Sequence, residues 1–194
     1  TTEIYTLSLH DALPIWIYPT DGEIFINNRE ITALPDRKIP YLRRQIGVVF
    51  QDFKLLYKKS VFENVSYILK IINKERKLIK LKTGKILKEV GLWYKKDYLP
   101  HTLSAGEQQR LAIARALVND PPIILADEPT GNLDNANAMN VIELLKNLHY
   151  KGTTIIIVTH NTELPKLFKN RHIELRDGSV IFDSEQRENK GERL

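Results

Sequence analysis

The chain has 194 residues, with 29 Lys+Arg against 24 Asp+Glu for a net charge of +5, and 42% of it is hydrophobic. That is the length of one domain and the composition of an ordinary globular protein, which excludes a disordered or fibrous chain. With no Cys there is no disulfide scaffold, thiolate zinc site or Cys nucleophile, and no apolar run approaches the roughly 18 residues of a membrane-spanning helix. The basic residues read as scattered among acidic ones, a solvated mixed surface with no nucleic-acid partner.

In chain order, residues 1–15 (TTEIYTLSLHDALPI) show no stable period and lack the basic start and apolar centre of a signal peptide. They resemble one reading frame of a short-read sequencing adapter. They are therefore expected to lie outside the fold, with the gene's own sequence surviving from Trp16 and truncated before it. After the turn signal at Asp21 and Gly22, Glu23–Asn27 alternates like a short strand, Pro40–Gln45 suits a short helix, and Ile46–Phe50 reads as a buried strand. SVFE, from Ser60 to Glu63, is a capping box that starts a helix through Ile72, with Val61, Val65, Ile68 and Ile72 on one side. A Lys-rich helix follows from Lys74 to Val90 and stops at Gly91, so residues 58–103 form a helical insertion. A second capping box, SAGE from Ser104 to Glu107, opens a helix to Val118, which Pro121 and Pro122 terminate. Ile123–Ala126 is a buried strand, and Asn135–Leu148 a helix with Met139, Ile142, Leu145 and Leu148 as its stripe. A β-rich run reaches His160, and two strands flank Asp177-Gly178 as a hairpin. Residues 186–194 form a polar tail. Strands alternating with helices predict an α/β fold with a parallel sheet and an antiparallel C-terminal edge.

Asp127 and Glu128 end a buried strand, which sets two carboxylates at the carboxyl edge of the sheet, where α/β proteins bind ligands. A helix cap or solvated turn is the competing explanation of such a pair. Ser104, Gly106 and Glu107 begin a helix whose free N–H groups and dipole suit a phosphate, or which is simply well capped. His160 and Gln51 also follow strands, as catalytic candidates or as structural residues. What joins the four is a single edge.

In order, VVFQDF, LSAGEQQR, ILADEPTGNLD and IVTH resemble the Q-loop, signature, Walker B with D-loop, and switch histidine of the ATP-binding cassette (ABC) ATPases, over Trp16 to Asp183. PYLRRQIGVVFQDFKLL is closer to the cell-division group of that family. The resemblance implies a P-loop NTPase fold of ABC type, ATP and Mg²⁺ as ligands, and a head-to-tail homodimer with shared sites. It also implies an integral membrane subunit, FtsX-like in that group, at the cytoplasmic face of the plasma membrane. Asp127 would orient the Mg²⁺ shell and Glu128 act as general base. Gln51 would touch metal and water, and His160 would hold the γ-phosphate. Ser104, Ala105, Gly106 and Glu107 would face the nucleotide of the other subunit, and Asp134 would reach across the interface.

Two departures stand out. Ala105 occupies the place of the first signature glycine, which a helix start with φ < 0 tolerates. No phosphate-binding loop is present: only Gly84-Lys85 resembles its end, and Ile86 follows where Ser or Thr belongs. The chain as it stands is therefore expected to be inactive, lacking the N-terminal strands, the loop and its helix. The rivals are the ATPase of a lipoprotein-release or macrolide-export system, and a non-catalytic adaptor with the same fold.

Overall fold

The computed structural model describes residues 3–6, 21–26, 28–168 and 170–185. Strand β1 (Glu3–Thr6) is followed by a small antiparallel hairpin of β2 (Phe25–Ile26) and β3 (Arg29–Glu30). Then come β4 (Ile46–Val49), β5 (Ile123–Asp127), β6 (Thr154–Val158), β7 (Arg171–Arg176) and β8 (Ser179–Asp183). Six of these make one sheet in the order β4-β5-β6-β1-β7-β8. Its first five strands are parallel, and β8 returns antiparallel at the edge. Asp177 (φ 50°) and Gly178 (φ 76°) both take left-handed backbone, as a two-residue turn between right-twisted strands requires.

The sequence leaves residues 1–15 outside the fold, and for Glu3–Thr6 the structure corrects this. They form β1, in parallel register with β6 (Glu3 opposite Ile156) and β7 (Glu3 opposite Arg171). Two parallel strands flanking a slot present unpaired N–H and C=O groups, and a short β-compatible run satisfies them whatever its origin. The rest of that segment and the tail at 186–194 lie outside the described residues.

The helices are α1 (Ile39–Arg43), α2 (Val61–Ile71), α3 (Arg76–Glu89), α4 (Ala105–Leu117), α5 (Asn135–Tyr150) and α6 (Leu164–Leu167). Both capping boxes close reciprocally: the Glu63 N–H donates to Ser60 Oγ at 3.1 Å and the Ser60 N–H to Glu63 Oε2 at 2.9 Å. The same pairing joins Glu107 and Ser104 at 3.3 and 3.0 Å. On α2 the buried line is Val61, Val65 and Leu69 rather than the expected Val61, Val65, Ile68 and Ile72, because the last two turn half outward. On α5 Val141 takes the place expected for Met139, which is 49% exposed.

One face of the sheet carries the main core. Ile124, Ala126, Ile155 and Ile157 pack there with Leu111 and Ile113 of α4 and Val141, Ile142 and Leu145 of α5. Among the described residues the other face carries a smaller cluster of Ile46 and Leu125, with Ile26, Leu42 and Ile156 packed against them. Parallel strands need cover on both faces, so their runs are apolar throughout.

Candidate functional site

The site grows from three neighbouring strand ends. Asp127 is the last residue of β5, opposite Val158 of β6. Glu128, immediately beyond, donates its N–H to the Val158 carbonyl at 2.8 Å while its own backbone turns left-handed (φ 42°). A non-glycine residue in that region costs on the order of 1 kcal/mol and persists where the surroundings over-determine it. Here the surroundings are a carboxylate cradle. Thr159 Oγ1 donates to Glu128 Oε2 at 2.9 Å, and the His160 N–H donates to Oε1 at 2.6 Å. His160 Nδ1 lies 2.6 Å from the same oxygen. With Nδ1 placed against Glu128, Nε2 of this largely exposed imidazole is left for another partner.

Gln51 reaches the same edge from β4. Its carbonyl accepts from Asn132 Nδ2 at 2.9 Å, and its amide nitrogen lies 3.5 Å from where a Cβ on Gly131 would stand, with Glu128 Cβ equally near that point. Gln51, Glu128 and His160 are thus brought together as expected, with Asp127 at the root of the group.

A second cluster forms around the start of α4. Ser104 is the N-cap, and Ala105 is the first helical residue, outside the positive-φ positions, so its methyl is accommodated as expected. Gly106 has a stricter requirement. A Cβ there would stand 2.3 Å from Asn137 Oδ1 and 3.0 Å from Asn137 Cβ, so only glycine lets α4 approach α5 this closely. Asn137 is held by Asp134, whose Oδ1 accepts its N–H at 2.9 Å and whose Oδ2 accepts from Nδ2 at 2.6 Å. These bonds hold the Asp134 carboxyl below its ordinary value. Glu107 turns inward: its carboxylate receives Lys95 Nζ at 2.7 Å, the Ser104 N–H, and Tyr94 Oη at 3.3 Å. The Gly84-Lys85 pair lies within α3, with Gly84 buried beneath Trp93. Its N–H groups belong to a helix ladder and cannot cradle a phosphate.

Sequence reasoning missed four residues that build the site: Thr159, Asn132, Asn137 and Arg115. Arg115 of α4 donates to the carbonyls of Lys54 and Phe53 at 2.5 and 2.8 Å. Both of those residues are left-handed (φ 46° and 61°), so one guanidinium fixes the corner after Gln51. The aromatic stretch around Phe53 divides in two: Phe53 packs on the core, whereas Leu56 lines a groove of about 470 Å³ with Arg44, Tyr67, Ile68, Ile71 and Ile72.

The sequence model of the ABC transporter family matches residues 8–131. The cell division ATP-binding protein FtsE of Bacillus subtilis is 44% identical over 174 residues, covering 90% of this chain and 75% of its own. The lipoprotein-releasing system ATP-binding protein LolD of Aquifex aeolicus is 40% identical over 182 residues, covering 93% and 78%. The dimeric structure of the ATP-binding cassette MJ0796 in a post-hydrolysis state bound to ADP and Pi superposes with a TM-score of 0.79 at 32% identity, over 94% of this chain and 84% of that one. Matched along most of its length by the family's sequence model, its relatives and its fold, the chain belongs to the ABC transporter ATP-binding family.

Proposed function

We propose that the chain carries the hydrolytic residues of the ATP-hydrolysing subunit of an FtsE-like complex, inactive as it stands for want of a phosphate loop. The subunit with that loop is a homodimer serving an integral membrane subunit of the FtsX type at the cytoplasmic face of the plasma membrane. The meeting of Gln51, Asp127, Glu128 and His160 at three adjacent strand ends carries this reading. It is supported by relatives named as cell-division ATP-binding proteins and by a dimeric neighbour bound to ADP and Pi. The 40% identical LolD relative supports a second reading, in which the partner belongs to a lipoprotein-releasing system.

The donors at the edge, a carboxylate and an amide oxygen, suit Mg²⁺ rather than a soft metal. Among the described residues no group of three His, Cys, Asp or Glu side chains could hold a metal, so Asp127 and Gln51 fit an ion that draws its other oxygens from nucleotide phosphates and water. Bound there, it would neutralise charge on the phosphates. Glu128 takes the proton of the attacking water, Gln51 orients that water, and His160 keeps Nδ1 against Glu128 while Nε2 serves a phosphate oxygen. Ser104, Ala105 and Gly106 face the nucleotide of the other subunit. Glu107 supports Ser104 from within, and Asp134 sets the approach of α5 to that surface.

The test uses two proteins, the 194-residue chain and the same chain with a family phosphate loop grafted ahead of Trp16. The graft is expected to hydrolyse ATP and the unaltered chain to release phosphate at background. Glu128→Gln in the graft should lower kcat by about 10²- to 10⁴-fold with ATP binding within about twofold. Parental turnover by Glu128→Gln overturns the base assignment, and robust hydrolysis by the unaltered chain overturns the need for the loop.

The groove between α1, β4, α2 and α4 fits the partner's contribution. Its apolar floor with Arg44 and Lys54 at the rim suits one face of an amphipathic helix with acidic flanks. Leu56→Asp and Ile71→Asp, both outside the main core, should abolish co-purification with the membrane subunit while leaving the melting temperature within about 2 °C. Undiminished co-purification removes the groove from the interface.

A further inference from the structure

The basic residues are not scattered, as the sequence reading had them. Residues 74–89, which contain α3, hold seven Lys or Arg and two Asp or Glu, leaving 22 of each sign in the rest of the chain. The entire net charge of +5 therefore sits on one helix and the residues that lead into it. Of its charges, Lys82 is paired with Asp120 at 2.5 Å and Glu89 with Lys151. Lys74, Arg76, Lys77, Lys80, Lys85 and Lys88 are all exposed. Lys77, Leu81, Lys85 and Lys88 recur at helical spacing opposite the buried Ile79, Thr83, Ile86 and Leu87.

Two features say that this face exists for something outside the chain. The N-cap Glu75 makes no side-chain hydrogen bond, and the first turn of α3 holds no acidic residue but begins with Arg76 and Lys77, charges of the sign that a helix N-terminus disfavours. The face also carries apolar groups among the charges. Leu81 is 68% exposed, and Trp93 packs over Gly84 with Lys88 and Lys96 each 5.5 Å from its ring. Tyr94, beside it, is 69% exposed.

We propose that this face of α3, with Trp93 and Tyr94, docks on an anionic lipid surface. Six of the seven basic residues are lysines, compact hydrated charges that suit a diffuse layer of headgroup phosphates better than bidentate pairing with carboxylates. Trp and Tyr with one apolar and one polar part are the side chains of a membrane–water interface. An exposed leucine within a basic helical face is the pattern of an interfacial helix rather than of a phosphate-only contact. The α2–α3 link also begins beside the groove, since Ile71 and Ile72 line it and Lys74 follows two residues on. A membrane subunit seated in the groove would hold the first turn of α3 under the headgroups. That last point rests on the groove reading, and the others stand without it.

The experiment is flotation of the full 194-residue chain with vesicles of equal parts phosphatidylglycerol and phosphatidylcholine, compared with phosphatidylcholine alone. Binding to the anionic vesicles should be at least about tenfold stronger and should weaken as salt is raised. The triple variant Lys77→Glu, Lys80→Glu, Lys85→Glu should fall to the neutral-vesicle level at an unchanged circular dichroism spectrum, and Leu81→Ala should lose about two- to threefold. The milder Lys77→Gln, Lys80→Gln, Lys85→Gln set covers any loss of folding by charge reversal, and should lose at least about tenfold. Ile71→Asp should bind vesicles as the parent does, so a failed groove and a failed lipid face give different results. Equal binding to both vesicle types, no binding to either, or undiminished binding by the lysine variants overturns the proposal. Displacement of the chain from anionic vesicles by an oligonucleotide at equal phosphate concentration also overturns it, in favour of nucleic acid.

Discussion

Glu107 is an acid buried beside the first turn of α4, where desolvation alone would push its carboxyl upward. The Lys95 ammonium, the Ser104 N–H and Tyr94 Oη outweigh that and hold it below its ordinary value, while Glu107 holds Lys95 above its own. The carboxyl's contribution to stability is therefore complete above its unfolded pKa and is lost as the pH falls through the lower, folded one. The lysine's contribution disappears only as the pH rises beyond the ordinary lysine range. Glu107→Gln should lower the melting temperature by a few degrees at pH 7. That gap should narrow as the pH falls below the ordinary carboxylate range and through the lowered folded pKa, where the parent's carboxylate becomes protonated too. A gap that did not narrow on acidification in thermal melts would mean that shape rather than charge gives Glu107 its role. The capping box itself was legible in SAGE, because it spans three residues. The Lys95 partner was not, because it comes from the short 3-10 turn Trp93–Lys95, a contact that only the packed insertion creates. Thr159 shows the same limit: it reads as one more β-branched residue until the fold brings it to Glu128, 31 positions away.

At the scale of elements, periodicity located the helices and missed which neighbours their faces would meet. Ile68 and Ile72 fall on an apolar line of α2, yet they line the groove because α4 and α3 cover the Val61–Leu69 side instead. The most consequential contact between elements is the clamp from Arg115 on the corner at Phe53 and Lys54. Burial disfavours the charge on that guanidinium and pushes its pKa down, so its two carbonyl partners are what justify its position. Arg115→Met keeps the length and apolar stem but leaves both carbonyls and the left-handed corner unsupported. It should cost about 2 kcal/mol in urea unfolding, with Arg115→Lys recovering part of the loss. A change below about 0.5 kcal/mol would show that the corner holds itself. The sequence offered one signal for this residue, an arginine amid the otherwise small and apolar LAIARAL of α4.

At the scale of the whole molecule, alternation of strand and helix was enough to read a parallel sheet with an antiparallel edge, and the motifs were enough to read the site along its carboxyl end. Strand order was not readable, since β1 enters between β6 and β7 by backbone pairing that carries little side-chain information. Charge was misread for a related reason: a total of +5 is silent about where the imbalance lies until α3 is seen as a single exposed helix. With the rest of the chain carrying no net charge, that helix sets the molecule's net charge off to one side. Near any surface of fixed negative charge, within a Debye length of about 8–10 Å, such a body feels a torque before it feels contact. It would arrive already turned, so fewer collisions are spent on wrong orientations, and the gain would lie in the rate of arrival more than in the strength of the final hold.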